Sequence, residues 1–243
     1  MIFHIITLFP EMFTSFLGNG VIGRAIDKKI ISVRLSNLRD FAVDKHGSVD
    51  DYLYGGGPGM LLRPEPIFMS YESIIESSEV TIDDPVVSLT PQGSTLNQPL
   101  LESFSSYKNI VLICGRYEGI DERVNEDIVS HEISIGDYII TGGELGAMLF
   151  IESLSRLVPG VLGSSDSNKT ESFSSGILDY PQYTRPAIYK DLRVPDVLLS
   201  GDHKKIELWR RKMALKRTLK RRPDLLEKIE LSILDKELLA EEE

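Results

Sequence analysis

The strongest constraint on the fold of this 243-residue chain is an alternation that fills its first two-thirds, in which short apolar, β-rich runs are separated by segments with helical spacing. Ile2 to Leu8, Ile30 to Leu35, Val86 to Leu89, Ile110 to Cys114 and Glu132 to Ile135 read as strands. Alternation of this kind predicts βαβ units around a parallel sheet, with a ligand site at the carboxyl ends of the strands. Leu145 to Val158 is apolar almost all round, which predicts a helix buried behind that sheet.

The pattern stops at Gly163. From there to Gly176 the chain holds six serines, two glycines and no aliphatic residue, too little to build a core. Beyond it, Ile206, Trp209 and Met213, with Leu208, Leu215 and Leu219, form a helical stripe, and Pro223 breaks it before a last helix. The expected organisation is an α/β domain over residues 1–162, a Ser-rich linker over 163–176 and a small all-α domain over 177–243.

Several classes are excluded. Apolar residues make up 42% and charged ones 26%, which is neither disordered nor membrane-embedded composition. Nothing approaches the roughly 20 apolar residues that span a bilayer. The apolar start lacks a basic n-region and runs into Glu11, so it reads as a strand and not as a leader. The single cysteine, Cys114, cannot form an intramolecular disulfide, which suits a reducing, cytoplasmic location. His4, His46, His131 and His203 are too scattered for a zinc site, and no metal-ligating cluster is expected.

Four motifs carry possible chemistry. Gly18, Gly20 and Gly23 match a dinucleotide fingerprint, but Pro10 to Leu17 before them reads as a helix, where the fingerprint needs a strand, so Gly18 suits a helix end. Tyr54 to Gly59 clusters four glycines, letting backbone approach a flat ligand; the alternative is a flexible turn. Cys114, without a nearby histidine, reads as buried filler more readily than as a nucleophile. Ser134-Ile135-Gly136-Asp137-Tyr138-Ile139-Ile140-Thr141-Gly142-Gly143-Glu144 holds two glycine turns around a short apolar run, a shape whose main chain can read an adenine edge; the alternative is a turn into the next helix.

The net charge of -10 argues against a nucleic-acid partner only as an average. Residues 204–222 carry ten Lys or Arg against Glu207 alone, a local +9, which leaves -19 on the rest. Solvated helix faces usually mix signs, so this clustering favours a phosphate-binding surface.

With these stretches the chain resembles the bacterial tRNA (guanine-N1)-methyltransferase family, of the SPOUT class. The matching segments are Ile6 to Phe13, Asp44 to His46, Val49 to Asp51, Tyr54 to Met60, Pro91 to Gly93, Ile113 to Arg123, Ser134 to Leu145, Pro159 to Gly163, Tyr183 to Pro186, Trp209-Arg210 and Arg221 to Asp224. The resemblance implies a SPOUT-type parallel-sheet domain tied in a trefoil knot that binds S-adenosylmethionine. It further implies a homodimer with shared active sites, a tRNA anticodon stem-loop as partner, and methylation at N1 of the guanosine immediately 3′ of the anticodon. A magnesium requirement is another implication.

By position, the resemblance makes Leu89, Thr90, Pro91, Gly115, Glu118, Ser134, Ile135, Gly136, Asp137, Tyr138, Ile139, Ile140, Gly142 and Gly143 the cofactor residues. Asp51, Gly59, Ser172, Arg185, Arg210, Arg217, Arg221 and Arg222 would contact tRNA. Arg156 matches the catalytic arginine, and the catalytic aspartate falls on Glu171, which keeps a carboxylate and adds one methylene; Asp166 and Asp179 are its local alternatives. A carboxylate there would take the N1 proton, and Arg156 would stabilise charge on O6. The rival expectations are a related methyltransferase acting on rRNA, a nicotinamide-dependent oxidoreductase, and a non-catalytic RNA-binding protein.

Overall fold

A computed structural model describes residues 1–77, 80–163 and 171–241. The chain divides into two compact units, Met1–Ser164 and Ser165–Glu243. Asp166 lies outside the described residues, as does most of the Ser-rich stretch. Glu171 to Gly176 belong to the second unit and form a hydrogen-bonded turn: Phe173 N–H donates to Ile177 C=O at 2.8 Å and Gly176 N–H to Phe173 C=O at 3.1 Å.

The first unit is built on five parallel strands in the order β2-β1-β6-β5-β7: β1 Ile2–Thr7, β2 Ser32–Asn37, β5 Val86–Thr95, β6 Asn109–Cys114 and β7 His131–Ser134. Two further two-residue strands, β3 Asp50–Asp51 and β4 Leu61–Leu62, form a small antiparallel hairpin. Side chains alternate across a strand, and the two sheet faces therefore feed two cores. Phe3, Ile5, Ile110, Leu112 and Cys114 face α2 (Gly20–Asp27), α4 (Gln98–Phe104) and α6 (Glu144–Ser155). Ile6, Val111 and Ile113 face α3 (Pro64–Ser77) and α5 (Glu122–Asp127). Double coverage is why these strands read as continuous apolar runs.

Two local features depart from the sequence reading. Strand β5 runs on to Thr95, with its register against β7 broken between Leu89 and Ser94. Pro91 has no N–H for the ladder, so pairing lapses there and resumes beyond Gly93, where a Cβ would overlap the Glu132–Ile133 backbone. Helix α6 buries Ala147, Phe150, Ile151 and Leu154, but its outer stripe is not buried: Leu145 is 55% exposed and Leu149 42%. Of the glycines in the GNGVIG stretch, Gly18 ends α1 (Thr14–Gly18), as expected, while Gly20 and Gly23 lie in the first turns of α2, where a Cβ on Gly23 would come 2.8 Å from the Gly18 carbonyl carbon. They serve helix packing, and the strand that a dinucleotide fingerprint requires is absent at that point.

The second unit is mainly helical: α7 (Asp196–Leu199), α8 (His203–Arg221), α9 (Pro223–Leu226) and α10 (Ile233–Ala240). It adds a hairpin, β8 Ile188–Tyr189 with β9 Leu192–Arg193. Its core gathers Ile177, Ala214, Leu215 and Leu238. Leu208 and Leu219 of the expected stripe stay exposed, and Ala214 and Thr218 take the buried face instead. Asp202 caps α8 by accepting the Lys205 N–H at 3.2 Å.

Candidate functional site

In a parallel sheet the loops after the carboxyl ends leave a crevice. Here Ser88 to Gln92, Gly115 to Ile120 and Ser134 to Gly143, following β5, β6 and β7, enclose a cavity of about 380 Å³, within the roughly 300–1,000 Å³ typical of small-molecule sites. Leu89, Thr90, Pro91, Gly115, Glu118, Ser134, Ile135, Gly136, Tyr138, Ile139, Ile140, Gly142 and Gly143 all line it. Asp137 does not. The backbone doubles back at that point, Tyr138 N–H donating to Gly136 C=O at 2.9 Å, and leaves Asp137 exposed at the tip.

Close approach of the second and third loops depends on glycine. Gly143 N–H donates to Gly115 C=O at 2.8 Å, and a Cβ on Gly143 would sit 2.8 Å from the Cys114 Cα. A Cβ on Gly142 would overlap the Arg116 guanidinium. Ser134 Oγ closes the third loop on itself, donating to Gly136 C=O at 3.1 Å and accepting the Gly136 N–H at 3.2 Å.

Under the cavity lies a buried charge pair for which sequence reasoning gave no role. Arg116 Nη2 is 2.8 Å from Glu144 Oε2, with the Glu144 side chain fully buried and that of Arg116 14% exposed. Thr7 Oγ1 donates to Glu144 Oε1 at 2.9 Å. Arg116 Nη1 donates to Thr141 C=O at 3.3 Å, and the guanidinium stacks over Phe9 at 4.5 Å. One residue thus ties β1, the second loop, the third loop and the start of α6 together. Nothing local signals it, because Glu144 lies 28 positions along the chain. Cys114, directly before this loop, is buried, and burial first, then Glu144, pushes its thiol well above the usual range. Such a thiol is an inert core group.

The β3–β4 hairpin docks on the second loop: Glu118 N–H donates to Met60 C=O at 3.0 Å and Leu62 N–H to Gly119 C=O at 3.1 Å. The glycine cluster is thereby brought to the cavity edge. Gly59 (φ +91°) lies against the Glu118 side chain, where a Cβ would come 2.5 Å from Oε1. Asp51 is exposed on β3, with Tyr52 and Tyr54 exposed beside it.

Arg156 is half-buried just past the C-terminus of α6, where a cation suits the helix dipole. Glu171 is half-buried in the second unit, its carbonyl accepting from Ser174 N–H and Oγ at 3.3 and 2.7 Å. Ser172 Oγ accepts the Asp179 N–H at 2.9 Å. The Asp179 carboxylate accepts from Tyr180 N–H and Gln182 Nε2 at 2.7 and 2.9 Å, which gives it a structural task.

The basic segment is more neutral in space than in sequence. Arg211 forms a two-pronged pair with Asp235 at 2.7 and 2.9 Å, Lys212 pairs with Glu241, and Arg222 with Asp224. Lys205 pairs with Asp202, while Lys216 and Arg217 donate to the carbonyls of Glu241 and Asp179. The side chains of Lys204, Arg210, Lys220 and Arg221 have no such partner among the described residues. Arg185 and Arg210 line a second cavity, of about 390 Å³, in this unit. Among the described residues no group of three His, Cys, Asp or Glu is arranged to hold a metal ion, so the magnesium expectation finds no ligand set there. No helix among them is long and apolar enough to cross a membrane.

The chain matches, over residues 1–228, the family model described as tRNA (Guanine-1)-methyltransferase TrmD. Three curated relatives carry the name tRNA (guanine-N(1)-)-methyltransferase. The one from Dehalococcoides mccartyi is 51% identical, covering 98% of this chain and 95% of the relative. That from Lactiplantibacillus plantarum is 52% identical over 98% and 95%, and that from Moorella thermoacetica 48% over 98% and 94%. A crevice of three loops, two of them glycine-bearing, at the ends of a parallel sheet, a helical unit with cations to spare, and full-length similarity coincide in one chain, which belongs to the TrmD family of tRNA (guanine-1)-methyltransferases.

Proposed function

We propose that this protein transfers the methyl group of S-adenosylmethionine to N1 of the guanosine immediately 3′ of the anticodon in tRNA. The observation that carries the reading is the cavity ringed by Leu89 to Pro91, Gly115 to Glu118 and Ser134 to Gly143. Its walls fit the donor: apolar Leu89, Ile133, Ile135 and Ile140 suit the flat faces of an adenine, and glycine-rich backbone offers main-chain polar groups to its edge. When bound, the donor supplies an electrophilic methyl group.

The remaining chemistry falls to the chain. Neutral guanine N1 carries a proton, and Glu171 takes it as the new bond forms. Negative charge then moves toward O6, where the Arg156 guanidinium stabilises it. Arg116 and the Gly115–Gly143 hydrogen bond hold the donor loops in register, and positioning accounts for much of the remaining acceleration. N1 lies on the Watson–Crick edge, so the base must be extruded, which an unpaired loop allows at little cost. Gly59, which lies against the cavity residue Glu118, and Asp51 of the same hairpin would meet the target nucleotide, while Arg185, Arg210 and Arg221 would hold phosphates. No step is routed through magnesium.

A homodimer accompanies this reading. Leu145 and Leu149 leave an apolar stripe on α6, and Ile139 on the third loop is 80% exposed; a second copy would cover such a surface. A single, buried cysteine fits a cytoplasmic setting. Labelled donor offered with total tRNA and with rRNA tests the substrate: label in tRNA is expected, and label in rRNA alone overturns the reading.

A further inference from the structure

The cavity of the second unit takes no part in the methyl transfer step above, yet it combines flat aromatic walls with cationic charge that no carboxylate among the described residues neutralises. Tyr180 and Tyr183 line it together with Arg185 and Arg210. Tyr183 is 49% exposed, and its ring is backed by Trp209 at 6.4 Å between centroids. The Arg210 guanidinium is stacked on Tyr180, 4.9 Å from the ring centroid, which fixes its planar fork without consuming its donors. Neither Arg185 nor Arg210 has a carboxylate at ion-pairing distance among the described residues, unlike Arg211 and Arg222, which are held by Asp235 and Asp224.

A purely apolar occupant would desolvate two arginines without compensation, and a bare anion would leave the tyrosine faces unused. A single-stranded nucleotide satisfies both, since its base stacks on an aromatic ring and its phosphate accepts from a guanidinium. About 390 Å³ is room for one such unit and too little for a duplex. We propose that this cavity holds one unpaired nucleotide of the substrate RNA other than the methylated guanosine, its base on Tyr183 and its phosphate on Arg185 and Arg210. The proposal rests on the preceding one only in taking RNA as the substrate.

Trp209 is the sole tryptophan and so reports on this cavity. The full-length protein, saturated with S-adenosylhomocysteine, is titrated with a uridine tetranucleotide, which contains no guanosine. A saturable change in Trp209 emission is expected. Tyr183→Ala should weaken binding roughly 5- to 150-fold, the effect of losing one base stack, Tyr183→Phe should restore it, and Arg210→Gln should weaken it and lower its salt dependence. In methyl transfer, Tyr183→Ala should raise KM for tRNA and leave kcat unchanged. An absent signal, Tyr183→Ala binding as the parent does, or an emission change that follows protein concentration instead of RNA overturns the proposal; the last would make the cavity an interface between copies. If the parent methylates tRNA while Tyr183→Ala changes nothing, the nucleotide site falls and the enzymatic function stands. If the parent binds the tetranucleotide in a Tyr183-dependent way but methylates nothing, the reverse holds.

Discussion

Replacing Arg116 with Met removes one side of a charge pair whose other side, Glu144, has no access to water. At 2.8 Å and an effective dielectric of about 20, the attraction lost is about 6 kcal/mol. Desolvation of both groups in the parent offsets part of that, and Thr7 still donates to Glu144 Oε1 in the variant. Breaking a buried pair from one side costs about 3–5 kcal/mol, and the surviving hydrogen bond argues for the lower end. About 3 kcal/mol lowers the melting temperature of a unit this size by roughly 6–12 °C. The cost is that of an abandoned carboxylate, so adding Glu144→Gln, which keeps an acceptor for Thr7 and removes the charge, should recover half or more of it. A double-mutant cycle followed by urea unfolding measures the coupling. Losing the anchor to the Thr141 carbonyl should also loosen the third loop and weaken S-adenosylhomocysteine binding several-fold. A cost below about 1 kcal/mol, or a double variant as unstable as the sum of the two singles, would refute the assignment of Arg116 as the tie beneath the cavity.

Asp235 in the second unit is held down to about 2 by the hydrogen bonds of Arg211, against an unfolded value of about 3.9. A depressed carboxyl stabilises above its unfolded value and loses that contribution as pH falls from about 4 toward 2. Because solvent reaches Arg211, the effect is about 1–2 kcal/mol; Asp235→Asn should cost that much at pH 7 and nothing near pH 2, as read by circular dichroism during acid unfolding. The affinity for tRNA should fall with salt with a log–log slope of about -3.5 to -4.5, the value for the five cations Arg185, Lys204, Arg210, Lys220 and Arg221, and not the roughly -9 that ten free cations would give. Donor binding should change little over the same range. Glu171→Gln should abolish turnover with S-adenosylhomocysteine binding unchanged; a normal rate in single-turnover methylation would move the proton acceptor elsewhere.

The central strands β1 and β6 were legible because both faces are buried, and burial on both faces leaves uninterrupted apolar runs such as Ile110 to Cys114. Short-range chemistry was legible in the same way: glycines at 136, 142 and 143 marked a loop that must pass close to another chain segment. Long-range partners were not. Arg116 is defined by Glu144 and Thr7, and the neutralisation of α8 by Asp235 and Glu241, residues far along the chain that no local pattern connects. The outer stripe of α6 shows another limit: apolar residues at Leu145 and Leu149 say that something covers them, and sequence periodicity assigned that task to the protein's own sheet. The hairpin at Ile188 to Arg193 went unmarked because each strand is two residues long.

The central claim is that the cavity after β5, β6 and β7 delivers a methyl group to one ring nitrogen of one nucleotide. The most direct measurement incubates the purified protein with labelled S-adenosylmethionine and an unmodified tRNA transcript, then locates the label by nuclease mapping and nucleoside mass spectrometry. N1-methylguanosine immediately 3′ of the anticodon, absent from a transcript carrying adenosine there, is the predicted result. Transfer to any other atom or position, or none under conditions where a known tRNA methyltransferase labels the same transcript, would contradict it.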